Sequence, residues 1–450
     1  MWDDCLVAPG TLWFDEASSR ALEVLQEWRE EAGELSCPNI KEALAILVRD
    51  VHGRCGVVLS DRGVRMGSLD TLRERLRQAL GPHALPDQAV LLTPAEHVAA
   101  HAVWSDPALV RVGEDGCFWL LDRLQTNQEW LVSPLRTQPV VPLGVGYSIK
   151  GGVGRSTALA MLALAMARAG RQVVVLDLDL EAPGIGEMLL AEPDRPERGV
   201  IDWLSEALIG NLDHLLEDMV GEATAREYFD TFGKLWVIPA AGVKTREYMN
   251  KLGRVYMPTY DPGSGRMQRL AYRLDQLLGQ ITERLHPDVV LLDARAGLHD
   301  MGAAVVTQLG AQVFLFSRDD AQSWRSLEYL LVHLQRSRQI GIRDEDSDLR
   351  LRMKMVASMM EDFGTSLRVW KERAYDVWNC LYDRADDTPY GFSATDDAAP
   401  HHPLVVGFTP FVRKTALNHK EIREQWDLLF PAFQGFVEQA QMLMFIQEEP

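Results

Sequence analysis

The sequence predicts a doubly wound α/β domain with a mostly parallel sheet, preceded by a small α/β domain. From residue 139 onward, short apolar runs alternate with longer helical stretches, which is typical of strands covered by helices on both faces. A glycine-rich segment follows the first of these runs, and acidic residues follow two later ones. At 450 residues the chain is long enough for two domains, and we place them at 1–138 and 139–450.

The N-terminal domain has the periodicities of a mixed α/β unit. Helices are predicted over residues 21–31, 41–50 and 69–80, and strands over residues 55–59 and 89–92. Two further runs, 109–112 and 117–121, flank a glycine-containing turn and therefore predict a hairpin. Nothing in these residues assigns a role to the domain, so that sensing and binding of a partner both remain open.

The larger domain begins after a connector rich in proline and polar residues at 133–139. Its strands are predicted over residues 140–147, 173–176, 235–238, 289–292, 313–316, 353–357 and 404–408. None of these runs alternates polar with apolar residues, which indicates burial on both faces of the sheet.

Composition restricts the classes of partner. The formal net charge is −19 and there is no long basic stretch, so direct binding of nucleic acid is a weaker expectation than binding of a protein partner.

No apolar run reaches the roughly 20 residues of a membrane span. The first residues are acidic where a signal peptide is basic, and the five scattered cysteines never form a CxxC pair. These features predict a cytoplasmic protein with reduced, buried thiols.

A candidate phosphate-binding loop lies between the first apolar run of the larger domain and a helical stretch at 158–168. It consists of Ile149, Lys150, Gly151, Gly152, Val153, Gly154, Arg155, Ser156 and Thr157. Glycines lack a Cβ atom, so backbone N–H groups can approach phosphate oxygens, and the helix start adds the positive end of its dipole. Ser156 is placed to give its hydroxyl to Mg²⁺, and Thr157 to reach another phosphate.

The plain alternative is a glycine-rich turn before an ordinary core helix. Two acidic strand ends favour the phosphate loop over this alternative. Asp177 and Asp179 follow the run 173–176, and Asp293 follows the run 289–292. Ligands of open α/β sheets bind at the carboxyl ends of the strands, where these carboxylates are expected to lie. Carboxylates beside a triphosphate require a cation between them, so the sequence predicts Mg²⁺ held by Ser156 and by waters bonded to these acidic residues.

The segments 150–157 and 177–184 resemble the ParA/MinD family of deviant Walker A P-loop ATPases. Residues 293–297 look like the Walker B and switch II region of that family, and residues 407–411 are similar to its late strand-and-proline segment near the base. The resemblance spans most of residues 140–415 in order. It implies ATP and Mg²⁺ as cofactors, with Pro410 and Phe411 beside the base.

The same resemblance implies roles for individual residues. Lys150 would be the signature lysine that reaches the phosphates of the partner in an ATP-bound dimer. Asp179 would orient the attacking water, Asp177 would support Mg²⁺, and Asp293 would hold the water shell of the metal. Arg295 is expected either to stabilise phosphate charge or to pair with a local acid.

Two departures from the family pattern bear on function. Arg155 stands where the family has the lysine of the loop. It keeps the charge but hydrogen-bonds as a planar fork, so phosphate binding should survive while hydrolysis could be slower or differently gated. Residues 357–360 lack the asparagine with which the family often recognises adenine. The preference for adenine over guanine is therefore implied by the resemblance alone.

The leading hypothesis is therefore a slow ATPase that forms a homodimer with ATP and couples hydrolysis to a protein partner through residues 1–138. A nucleotide-binding scaffold with little turnover, in a bacterial signalling or defence system, is the second. A DNA- or cargo-positioning ATPase is the third.

Overall fold

The computed structural model describes residues 12–445 except 34–36, 38, 97–99, 107, 114, 125, 133, 213–214, 224–228, 230–231, 262–265, 340–348, 383–390 and 412–418. The chain divides into two compact units, Met1–Val132 with Ser337–Ile342, and Ser133–Arg336 with Arg343–Pro450. Within the described ranges, every helix is too short or too polar to cross a membrane.

The smaller unit is built on a mixed five-stranded sheet in the order β3-β2-β1-β5-β4. The strands are β1 (Ala45–Arg49), β2 (Cys55–Leu59), β3 (Leu91–Leu92), β4 (Val110–Val112) and β5 (Phe118–Asp122). The helices are α1 (Phe14–Glu31), α2 (Asp61–Val64), α3 (Leu69–Leu80) and α4 (Ala100–Trp104). Antiparallel pairing of β4 with β5 confirms the predicted hairpin.

The helix predicted at 41–50 is wrong. Residues Ala45–Arg49 form the central strand β1, which pairs with β2 in antiparallel and with β5 in parallel orientation. A continuous apolar run that is buried on both faces fits a central strand, and periodicity alone does not distinguish this from a buried helix. The strand predicted at 89–92 is correct only for Leu91–Leu92, because the residues before it form a 3₁₀ turn.

The expectation of reduced thiols is wrong for two of the cysteines. Cys37 and Cys117 form a disulfide across 80 residues of sequence, with their Cα atoms 4.9 Å apart. The carbonyl of Cys117 accepts the N–H of Leu44, which brings the two segments together beside β1. Cys55 is a free, buried thiol, Cys380 is free and half-buried, and Cys5 lies outside the described residues.

The larger unit contains an eight-stranded sheet in the order β15-β14-β13-β6-β12-β7-β9-β8. All pairs are parallel except β8 with β9. The strands are β6 (Leu143–Ser148), β7 (Gln172–Leu178), β8 (Gly221–Glu222), β9 (Lys234–Ile238), β12 (Val289–Ala294), β13 (Gln312–Ser317), β14 (Met353–Met360) and β15 (Leu404–Gly407). A small separate hairpin consists of β10 (Thr259–Asp261) and β11 (Arg266–Gln268). Every strand predicted after residue 139 is present, and the α/β fold class with its mostly parallel sheet is confirmed.

The helices of the larger unit cover this sheet. They are α5 (Arg155–Arg168), α6 (Ile185–Leu189), α7 (Val200–Ala207), α8 (Tyr248–Leu252), α9 (Leu270–Leu285), α10 (Asp300–Ala303), α11 (Ala321–Gln339), α12 (Leu349–Arg352), α13 (Thr365–Trp378), α14 (His419–Glu424), α15 (Trp426–Leu429) and α16 (Gln434–Phe445). Helix α5, which contains the predicted helical stretch 158–168, is buried nearly all round and is followed by Gly170 at φ 91°.

Strand order places the acidic strand ends beside the glycine-rich loop. Strand β6 lies next to β12, and β12 lies next to β7. Asp293 in β12 is the register partner of Asp177 in β7. Because the carboxyl ends of parallel strands share one edge of the sheet, the loop after β6 and the residues after β7 and β12 form a single candidate site.

Candidate nucleotide-binding site

The glycine-rich loop connects the end of β6 at Ser148 to the start of α5 at Arg155. Gly152 and Gly154 have φ angles of 72° and 82°, in the left-handed region that favours glycine. A Cβ atom added at Gly151 or Gly152 would meet no protein atom within 4 Å. The outer side of the loop is therefore open, and packing within the chain does not explain why residue 151 is glycine.

The inner side of the loop is held by the neighbouring strand β14. The hydroxyl of Ser358 donates a hydrogen bond to the carbonyl of Val153. A Cβ atom at Gly154 would lie 3.3 Å from the Cε atom of Met359, which itself has φ 58°. In the sequence these strand residues are marked only by a missing asparagine, and no motif predicts that they support the loop.

Arg155 joins the loop to both acidic strand ends. Its Nε donates to Asp293 Oδ1 at 2.7 Å and its Nη2 donates to Asp179 Oδ2 at 3.0 Å. Longer contacts of 3.4 Å run from Nη1 to Ser148 Oγ and from Nη2 to Ser156 Oγ. The guanidinium thus lies among the oxygen atoms of four side chains.

The ion pairs of Arg155 are buried. Arg155 is 7% exposed, Asp179 8% and Asp293 1%. Burial opposes the charge of the guanidinium, but Asp293 and Asp179 outweigh burial and raise the pKa of Arg155 above its ordinary value. Arg155 therefore serves as the internal counter-ion of the two carboxylates.

Both side-chain oxygen atoms of Asp177 accept hydrogen bonds from the backbone. Its carboxyl group accepts the N–H of Asp179 at 3.1 Å and the N–H of Gly184 at 3.0 Å, which fixes the turn after β7. Burial, with Asp293 alongside it in the next strand, raises the pKa of Asp177 to about 8.

Lys150 lies at the entrance of the loop and is paired within its own chain. Its Nζ donates to Asp320 Oδ1 at 3.2 Å. Asp320 precedes α11 and also accepts the N–H and the hydroxyl of Ser323. The side chains of Lys150 and Asp320 are 40% and 33% exposed, so solvent screens their attraction. No sequence motif links Asp320 to the loop, so this pair becomes visible only in the structure.

The segments after β7 and β12 are also joined to each other. Arg295 donates to Glu181 Oε1 at 2.7 Å, and the hydroxyl of Tyr256 donates to the same oxygen at 2.8 Å. Of the two expectations for Arg295, the structure shows the pair with a local acid. Tyr147 donates to the carbonyl of Gly297 at 2.9 Å and thereby ties the second of these segments to β6.

The remaining predicted residues lie around this centre. Thr157 is buried in the first turn of α5. Pro410 and Phe411 follow β15 and are exposed. Their position after a carboxyl strand end puts them on the same edge of the sheet as the loop.

The arrangement as it stands does not fit Mg²⁺. Oxygen atoms of Ser156, Asp179 and Asp293 are of the kind that Mg²⁺ prefers, but the Arg155 guanidinium fills the position between them. Asp177 holds backbone N–H groups instead. In the part of the chain that the structure describes, no cluster of three or more His, Cys, Asp or Glu residues is placed to hold a metal ion.

We predict that Arg155→Met lowers the free energy of unfolding by about 3 kcal/mol, because removing one partner leaves buried carboxylates uncompensated. Urea unfolding measures the loss. Arg368 is a matched control, since its pair with Glu372 is exposed on both sides, and Arg368→Met should cost less than about 0.5 kcal/mol. Equal losses for the two variants would show that the buried pairs do not stabilise the unit.

Comparison with known proteins places the loop in a family. Residues 144–206 match the ParA family model, described as NUBPL iron-transfer P-loop NTPase. The iron-sulfur cluster carrier protein of Salmonella typhimurium is 31% identical over 157 residues, which are 33% of this chain and 40% of that protein. The carrier of Pseudomonas fragi is 28% identical over 167 residues, 36% of this chain and 55% of the relative. This chain thus spans less than two thirds of the curated relatives that it matches.

Among solved structures, pNOB8 ParA bound to nonspecific DNA aligns with a TM-score of 0.43 at 14% identity, over 69% of this chain and 100% of that one. The MinC:MinD cell division protein complex of Aquifex aeolicus aligns with a TM-score of 0.41 at 16% identity, over 67% of this chain and 95% of that one. P-loop NTPases of the ParA type in general bind a nucleotide with Mg²⁺. The match over residues 144–206 confirms, for the segment that carries the glycine-rich loop, the resemblance drawn from the motifs.

Proposed function

We propose that this chain binds ATP on the loop at 150–157 and works as a dimerising nucleotide switch with slow hydrolysis. The observation that carries the proposal is the open side of the loop at Gly151 and Gly152. Backbone N–H groups there and at the start of α5 are available to phosphate oxygens, and the helix dipole favours their negative charge. A core turn would instead bury its glycines against packed neighbours.

The proposal predicts that Gly151→Ala weakens ATP binding at least about tenfold, because the new methyl group occupies space that the phosphates need. The fold should be unchanged, since that methyl meets no protein atom. Calorimetric titration with ATP measures the affinity, and thermal unfolding measures the fold.

Gly279 is a matched control for this experiment. It lies inside α9, where an added Cβ likewise meets nothing within 4 Å. Gly279→Ala should leave ATP affinity unchanged and stabilise the helix by about 1 kcal/mol. Full ATP affinity in Gly151→Ala would contradict a phosphate site on this loop.

Dimerisation is proposed through Lys150. Its pair with Asp320 is partly exposed, and such pairs contribute only about 0–1 kcal/mol, so a triphosphate can replace the carboxylate as its partner. A triphosphate carries more negative charge than one carboxylate and attracts the ammonium group more strongly. Reaching the phosphates of a second chain would couple nucleotide binding to dimer formation, as a trans-acting cation does in other phosphoryl-transfer proteins.

We therefore expect ATP, but not ADP, to convert the protein to a dimer, and Lys150→Ala to abolish the conversion. Light scattering after size-exclusion chromatography measures the mass. Lys234→Ala is the control, because Lys234 begins β9 and thus lies at the opposite, amino edge of the sheet. An unchanged mass of the wild type with ATP would exclude the switch.

Slow turnover is proposed from the state of Asp179. Its carboxylate accepts from Arg155 and from the N–H of Ala182, so orienting a water molecule requires exchange of a buried ion pair. The same buried ion pair makes a nucleotide-binding scaffold with little turnover the second candidate function. Phosphate release separates the two: the switch predicts slow release that Asp179→Ala abolishes, and the scaffold predicts none from the wild type.

The curated relatives are iron-sulfur cluster carrier proteins, and extending that activity to this chain depends on its own cysteines. Iron-sulfur clusters are usually held by cysteine thiolates, and the chain has no cysteine between Cys117 and Cys380. We therefore do not extend cluster carriage from the relatives to this chain. ATP rather than GTP, the cytoplasmic location and a protein partner for the N-terminal domain stay predictions. Pro410 and Phe411 are proposed to flank the base.

A further inference from the structure

The Arg155 guanidinium lies among side-chain oxygen atoms of Ser156, Asp179 and Asp293, and two of these residues, Ser156 and Asp293, are predicted from the sequence to hold Mg²⁺. We propose that Arg155 replaces this cation as the counter-charge of Asp179 and Asp293, so that the site binds a nucleoside triphosphate without a divalent metal ion. The inference rests on the proposed nucleotide binding and concerns which cation accompanies it.

The first observation is the donor pattern. Asp293 Oδ1, Asp179 Oδ2 and Ser156 Oγ all face the guanidinium, at 2.7, 3.0 and 3.4 Å. A divalent ion drawn to the same oxygen atoms would lie against a positive charge that does not deprotonate in proteins. The arginine and the metal therefore compete for one position, and the arginine holds it through a fork that a lysine cannot reproduce.

The second observation is the space that the side chain occupies. The Cγ atom of Arg155 lies 3.2 Å from the place where a Cβ atom of Gly146 would be. The Cδ1 atom of Leu159 lies closer still, at 2.5 Å, so the bare backbone of β6 at Gly146 leaves room for Leu159 and for the stem of Arg155. With 7% exposure of the whole residue, the arginine side chain is packed in the interior at the end of β6.

The third observation is the balance of charge. Two carboxylates close to a triphosphate would repel it, and in most such sites a metal ion neutralises this repulsion. Here one guanidinium contacts both carboxylates in a buried setting, where opposite charges interact more strongly than in water. Backbone N–H groups of the loop and the start of α5 remain for the phosphates.

The test is calorimetric titration of the full chain with ATP, once in excess Mg²⁺ and once in EDTA. The wild type should differ in Kd by less than about fivefold between the two conditions. Arg155→Lys keeps a positive charge but cannot bridge both carboxylates, so its Kd in EDTA should be weaker than in Mg²⁺ by about tenfold or more. Arg368→Lys, on the exposed surface, should behave like the wild type.

The outcomes separate the two proposals. A wild-type Kd that is weaker in EDTA by about fivefold or more overturns the replacement of the metal by Arg155, while nucleotide binding stands. No heat of binding in either condition overturns nucleotide binding itself. The wild-type comparison decides the matter even if Arg155→Lys does not fold.

Discussion

The bridge from Arg155 to Asp179 and Asp293 is the interaction on which the organisation of the candidate site depends. It ties the start of α5 to the ends of two neighbouring strands, and it does so below the protein surface, where an unpaired charge is costly. Because the guanidinium is planar and forked, it fixes the directions of both carboxylates as well as their distance. The geometry of the loop and of the acidic strand ends is therefore set together.

Outside this bridge, weaker contacts connect the segments around the loop. Lys150 is held at α11 by an exposed pair with Asp320, whereas Arg295 and Glu181 join the segments after β12 and β7. The buried contacts define the shape of the site, and the exposed ones can exchange partners at little cost.

Much of this could be predicted from the sequence, and the failures have physical causes. Strands of the larger unit are continuous apolar runs, and the loop glycines take the φ angles that only glycine adopts easily. Residues 45–49 were predicted as helix because a short buried strand has no distinctive period. The Cys37–Cys117 pairing and the fold-back of Arg155 depend on tertiary contacts across 80 and 138 residues, which local patterns do not report.

On this proposal, a triphosphate binds on the open side of the loop while Arg155 stays between the two carboxylates. A crystal structure of the protein with a non-hydrolysable ATP analogue, grown in EDTA, examines both parts of the proposal at once. We expect phosphate density on the backbone N–H groups around Gly151, with Arg155 still hydrogen-bonded to Asp179 and Asp293. An empty loop, or an Arg155 side chain that has left both carboxylates, would contradict it.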